Sequence, residues 1–159
     1  MTAETTRIQA GGLLTGPISM KRFAGSRLAP GLAVVVGADV PPSTPPEAVN
    51  LSVDGAFLAL ALRGGDGDGF VVSERMLPLE LDGPLRLYQD GRLALEVAVE
   101  ALGRPAERLA RLASEVGGLR AGDLVLIAPA ASHEARPGTV EVWGPESSAL
   151  TTTLSEDES

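Results

Sequence analysis

The sequence predicts a mixed β-barrel or β-roll with a single packed α-helix, and three observations carry that reading. Glycine (19 residues) and proline (12 residues) punctuate short runs rich in Val, Leu and Ala, as turns punctuate strands. Only the stretch 105–116 repeats its apolar residues at helical spacing. Aromatic residues make up 3% of the chain, so its core has to be assembled from Leu, Val and Ala. A chain of 159 residues fits one domain, and a globule of that size buries roughly 70% of its unfolded surface.

Residues 1–10 lack apolar periodicity and predict a disordered N-terminus; residues 11–154 form the single domain, and 155–159 an acidic disordered tail, "SEDES". "GGLLTGPISMKRFAGSR" is a glycine-spaced loop with apolar anchors Leu13, Leu14, Met20 and Phe23, a surface crossover more than a lid. The opening strand covers 32–36, inside "LAPGLAVVVGADVPP", where no titratable side chain occurs before Asp39. "PPSTPPEA" is too proline-rich for a helix or a ladder. "LSVDGAFLALAL" is the next strand, with Gly55 marking a bulge or a close backbone approach. "RGGDGDGF" fits neither a phosphate loop nor a calcium loop, because the strand–GxGxxG–helix context and the EF-hand spacing are both missing, so it is a flexible turn.

"PLRLYQDGRLALEVAVEAL" reads as a hairpin whose Asp90-Gly91 suits a type I′ turn. Leu85, Leu87, Leu93, Leu95, Val97 and Val99 mark one face, with Arg86, Tyr88, Ala94, Glu96 and Ala98 on the other. In "RPAERLARLASEVGG", Pro105 suits the first helical position, Leu109, Leu112 and Val116 form a stripe, and Gly117-Gly118 ends the helix. "GLRAGDLVLIAPA" launches an apolar strand, and "RPGTVEVWGPESSALTTTL" supplies two alternating ones.

Several classes of function are excluded by composition. Without cysteine there is no disulfide, thiolate zinc site or Cys nucleophile, and the single histidine, His133, excludes a multi-histidine metal cluster. A formal charge of −8 without a basic stripe gives nucleic-acid phosphates nothing to bind. No signal-peptide order and no bilayer-length apolar run occurs, so the expected location is the cytoplasm, away from membranes.

The stretch "DGRLALEVAVEALGRPAERLARLASEVGGLRAGDLVLI" resembles the C-terminal part of the 2-keto-4-pentenoate hydratase and 4-oxalocrotonate decarboxylase branch of the fumarylacetoacetate hydrolase superfamily. There a hairpin leads to a Gly-His-Pro turn, here Gly103-Arg104-Pro105, and a helix leads to a Lys/Arg-Ala-Gly-Asp turn, here Arg120-Ala121-Gly122-Asp123. "RPGTVEVWG" is similar to that family's Arg-Pro-Gly-Asp turn and last strands. The likeness runs with gaps from about Gly12 to Leu154, and 90–138 is its specific part. It implies the fold of that family's C-terminal domain, and a site in which Glu-Pro-Glu holds a divalent metal and the metal holds a 2-keto acid.

In this chain the Glu-Pro-Glu position reads Ala29-Pro30-Gly31. The family's third metal-binding acid and its lysine fall in a segment missing between Ala48 and Val49, Asp-Asn-Ala-Ser has become Val49-Asn50-Leu51-Ser52, and a strand-end serine has become Ala128. The family's N-terminal region also has no counterpart in this sequence. A magnesium site requires converging oxygen ligands, so the resemblance implies an erased metal site and no cofactor.

Two functions remain. One is a cofactor-free cyclase, isomerase or dehydratase that folds a hydrophobic metabolite in the emptied barrel, since positioning alone lowers barriers by several kcal/mol. The other is a non-catalytic ligand-binding or partner-stabilising relative. Replacement of acids by Ala and Gly favours the first. The candidate catalytic residues are Tyr88 and His133, and the candidate substrate contacts are Asn50, Ser52, Trp143, Ala128, Gly31 and Met20. Against these stand plainer roles: turn residues for Asn50 and Ser52, buried aromatics with satisfied donors for Tyr88 and Trp143, and an exposed loop position for His133. On the enzyme reading, Gly31→Phe or Ala128→Trp blocks turnover and spares the fold. Uncovered strand edges further predict a homodimer.

Overall fold

The computed structural model describes residues 3–8, 13–65, 68–77 and 82–156. In chain order the elements are β1 (Ala3–Ile8), β2 (Ile18–Ser19), β3 (Arg27–Val36), α1 (Pro46–Val49), β4 (Val53–Arg63), β5 (Gly69–Leu77), β6 (Pro84–Gln89) and β7 (Arg92–Ala98). They continue with α2 (Pro105–Val116), β8 (Leu124–Pro129), β9 (His133–Glu134), β10 (Gly138–Trp143) and β11 (Ala149–Ser155).

Two sheets share one core. The first runs β1-β8-β3-β4-β5, with β9 also pairing β3; the second runs β2-β11-β10-β6-β7. Among the described residues every strand pairing is antiparallel except β2 with β11, and the isolated Leu13–Phe70 bridge is also parallel. Because strand side chains alternate, Leu28, Leu32, Val34 and Val36 of β3 and Leu58, Leu60 and Leu62 of β4 point inward. They meet Leu85, Leu87, Val140, Val142, Leu150 and Leu154 of the second sheet. Each such residue contributes about 1.5–3 kcal/mol of apolar burial. Leu109, Leu112 and Ala113 of α2 pack into the same core. The strand order leaves both sheets open among the described residues, so the expected barrel or roll takes the form of two packed sheets without barrel closure.

The helix follows the sequence closely, with Pro105 in its first turn and Gly117 left-handed at φ 80° as its C-cap. Asp90 and Gly91 both have positive φ, 51° and 81°, as a type I′ turn requires.

Four expectations need correction. Residues 3–8, expected to be disordered, form β1: Ala3 to Ile8 pair with Pro129 to Leu124. Residues 1–2 and 9–10 lie outside the described residues. β1 is an edge strand with mixed exposure, so it carries no two-residue hydrophobic signature. Three interactions fix it: Glu4 pairs with Arg63 at 2.5 Å, and Arg108 Nη1 donates to Ala3 O at 3.2 Å and Thr5 Oγ1 at 3.3 Å. Similarly, Ser155 of the expected disordered tail ends β11 opposite Ser19, while 157–159 lie outside the described residues. The short helix α1 begins inside "PPSTPPEA", where its first turn tolerates Pro46 because no helical N–H is needed there. Finally, a register shift at Leu87/Tyr88 breaks the hairpin alternation, leaving Leu93 opposite Tyr88 and 52% exposed.

Candidate functional site

The residues at the family's metal positions lie on the face of β3 that points away from the main core. Ala29, Gly31 and Ala33 stand beside Ala61, Ala59 and Phe57 of β4. Ala29, Ala33, Ala59, Ala61, Leu126 and Ala128 form a second buried cluster, with Ile8, Phe57 and Val72 packed against it. Ala29 and Ala128 are 0% exposed, so no water-sized space touches either. A Cβ added to Gly31 would lie 2.5 Å from Ile127 O and 3.1 Å from Ala128 Cβ.

Gly31 and Ala128 are therefore neighbours, as the family likeness implies, but as packing partners. The small side chains have been used to bring β3 and β8 close together, and the enlarged chamber expected at 29, 31 and 128 is filled. For the same reason Gly31→Phe would break the fold instead of sparing it. A divalent cation does not fit here: none of these side chains carries oxygen, and among the described residues no three His, Cys, Asp or Glu side chains are grouped to hold a metal.

The other candidates are dispersed. Asn50, exposed, and Ser52, half-buried, form a 3₁₀ turn whose Ser52 O accepts the Gly37 and Ala38 N–H groups at 2.7 and 3.2 Å. Met20 leans on the main core, and its N–H donates to Ser155 O at 2.8 Å. His133 pairs with Leu28, and its Nε2 is buried with no partner among the described residues. Burial first, then the Arg136 and Arg27 charges, hold the imidazole below its ordinary pKa. Tyr88 and Trp143 do come together, on the outer face of the second sheet, where Trp143 is 44% exposed and its Nε1 donates to Glu141 Oε2 at 3.1 Å. Neither is the buried aromatic of the plainer reading.

The structure adds a groove of about 860 Å³ between the outer edges of β5 and β11, lined among others by Leu14, Thr15, Val72, Glu74, Leu150 and Thr152. Segment 13–19 crosses one end of it: Leu13 bridges Phe70 on β5, and Ile18–Ser19 pair with Leu154–Ser155. Leu13 and Leu14 were visible as loop anchors, but no local pattern records a gap between two distant strands.

This architecture is the fold of the fumarylacetoacetate hydrolase C-terminal domain, as solved structures show. 4-Oxalocrotonate decarboxylase from Pseudomonas putida G7, complexed with magnesium and adipate, superposes with a TM-score of 0.75 at 15% identity, covering 89% of this chain and 65% of that one. 5-Carboxymethyl-2-hydroxymuconate delta-isomerase from Mycobacterium smegmatis gives 0.76 at 15% identity over 93% and 67%. A yeast fumarylacetoacetate hydrolase family protein gives 0.74 at 18% over 91% and 75%. The chain thus spans 65% of the decarboxylase it matches. No protein-family model and no curated protein matches the sequence. No helix among the described residues is long and apolar enough to cross a membrane.

Proposed function

We propose that this chain is a non-catalytic, metal-independent relative of the fumarylacetoacetate hydrolase fold that acts by binding an apolar small molecule. One observation carries the reading: the face that bears metal-binding carboxylates in the family is here a solid cluster of Ala and Gly contacts around Gly31 and Ala128. Rebuilding that face as packing removes both the ligands and the space for a metal-held 2-keto acid. Nor do His133, Asn50 and Ser52 share a site with Tyr88 and Trp143, so no acid–base pair is assembled from them.

A second reading, a metal-independent isomerase, cyclase or dehydratase, is favoured by the groove, whose volume of about 860 Å³ lies within the range of small-molecule sites. Its Leu14, Val72 and Leu150 supply apolar wall and its Thr15 and Thr152 supply hydroxyls.

One experiment tests both readings. The protein is titrated with a panel of hydrophobic polyenes and ketones, with binding followed by fluorescence and product by absorbance and mass spectrometry. Saturable binding without product, weakened by Thr152→Trp in the groove, is the result expected of a binding protein. Chelator-insensitive turnover that Thr152→Trp removes would replace that reading with the second. Magnesium-dependent turnover would overturn both.

A further inference from the structure

The groove between β5 and β11 is bounded by two sheet edges, and the main chain of each opens onto it. Along a strand the N–H and C=O of one residue turn to one side, and those of the next residue to the other. Two bonds fix which side is which on β11. Ser148 O accepts the Gly144 N–H at 2.9 Å on the side of β10, and Ser155 O accepts the Met20 N–H at 2.8 Å on the side of β2. Even-numbered residues from Ser148 to Leu154 therefore turn their main chain to β10, and odd-numbered ones turn theirs away from it. Because β2 pairs only with Leu154–Ser155, the N–H and C=O of Ala149 and Thr151 face the groove without a partner among the described residues. On the opposite bank Phe70 O accepts the Leu14 N–H at 2.9 Å, which turns the main chain of Phe70 and Val72 away from β4. The lining residues that belong to the main core are apolar: Val71, Leu150 and, packed against it, Leu14. The rim carries one acid and one base, Glu74 and Arg75, both exposed.

We propose that the groove takes its ligand as an added strand on β11, and that the ligand is a short, neutral, extended amide chain with aliphatic side groups. This rests on the reading of the groove as a ligand site and names the class of ligand. A molecule that is apolar throughout would cover Ala149 and Thr151 and leave their donors and acceptors unpaired, which main-chain groups rarely tolerate. An extended amide chain meets both. Ala149 and Thr151 stand two residues apart, about 7 Å at roughly 3.4 Å per residue, and that is also the repeat of an extended peptide. Peptides add to open sheet edges in this way, with main-chain bonds supplying affinity and alternate side chains supplying specificity. The ligand unit opposite Leu150 points inward onto Leu14 and Val71, so it is aliphatic. Segment 13–19 closes the lane at one end, where Thr152 Oγ1 donates to Gly16 O at 3.4 Å. That leaves room for about three or four units, roughly 10–14 Å of extended chain. One acid and one base on the rim favour no net charge. β11 holds the chain, because β5 shifts register between Phe57 and Ala59 and offers Val72 as a single attachment.

The test titrates N-acetyl-Val-Leu-Val-amide into isotope-labelled protein and follows the main-chain amides by NMR. Saturable binding is expected, with shifted and more slowly exchanging amide protons at Ala149 and Thr151. Leu150 and Thr152, whose N–H groups turn to β10, are expected to change little. The same peptide methylated on its amide nitrogens is more apolar but lacks the donors, and is expected to bind roughly tenfold more weakly or worse. Thr151→Pro removes one donor at an edge position that tolerates proline, and is expected to weaken the unmethylated peptide likewise with circular dichroism unchanged. Should that variant unfold, the methylated peptide still decides. Equal binding of the two peptides, or shifts that do not alternate along β11, overturns the proposal. Binding of a polyene or ketone that Thr152→Trp weakens, with no binding of the peptide, overturns strand addition and leaves the groove as a ligand site. No binding by any of these probes overturns both.

Discussion

Gly31 decides how the Ala-rich face of β3 is built. Its hydrogen points at Ile127 O, and the 2.5 Å that a Cβ would leave is too short for any side chain without moving β3 from β8. Gly31→Ala is therefore expected to cost about 1–3 kcal/mol through overpacking, seen as a lower urea midpoint. Restoring the family's acids with Ala29→Glu and Gly31→Glu together is expected to unfold the domain, with no gain of metal affinity by calorimetry. A folded double variant that binds magnesium would show that the face is vacated space after all. His133 gives a separate prediction. Burial, then Arg136 and Arg27, lower its pKa in the folded protein, so the unfolded chain binds the proton more readily. Stability from this residue is complete above the ordinary value of about 6.5 and falls as pH drops through that value toward the folded one. His133→Gln is expected to flatten the urea midpoint between neutral and mildly acid pH, and an unchanged slope would count against it.

At the scale of elements, strands flanked by turn residues and the one amphipathic helix were legible because their signals are local. Pro105, the Leu109 and Leu112 stripe and Gly117 define α2 in sequence and in space. Gly117→Ala, which forces a Cβ into the left-handed region, is expected to cost about 1 kcal/mol. The start of β3 was not legible, since Pro30-Gly31 reads as a strand breaker. The structure tolerates Pro30 because β8 pairs only with Leu32–Val35 and β9 only with Arg27–Leu28, so that side of β3 has no strand partner at Pro30. β1 was missed for a comparable reason: much of what holds it comes from distant residues. Arg108 donates to Ala3 O, Thr5 Oγ1 and Leu102 O, tying α2 to the edge strand. Arg108→Met keeps the stem and removes these bonds. It is expected to cost about 2 kcal/mol and to speed amide exchange in Ala3–Ile8 more than in α2. Equal changes in both would make Arg108 a general stabiliser and not a strut for β1.

For the whole molecule, most strands and the small residues at 29, 31 and 128 were legible in the sequence, but not whether the face they make is filled, because filling or opening a face depends on how close two strands come. Ala and Gly are compatible with either outcome; here the 0% exposure of Ala29, Ala33, Ala59, Ala61 and Ala128 shows filling. The groove likewise arises from the arrangement of two open sheets and from no motif. Filling has a thermodynamic signature. A protein with an intact divalent-metal site gains about 2.7 kcal/mol when the ion is present at about a hundred times its dissociation constant. For a domain near this size that corresponds to roughly 5–10 °C in melting temperature. With no side-chain oxygen at 29, 31 or 128 and no space beside Gly31, millimolar Mg²⁺ or Mn²⁺ is expected to leave the midpoint where a chelator leaves it. A rise of several degrees, saturating with ion concentration, would mean that oxygen ligands converge elsewhere in the chain and that packing at Gly31 does not decide metal independence.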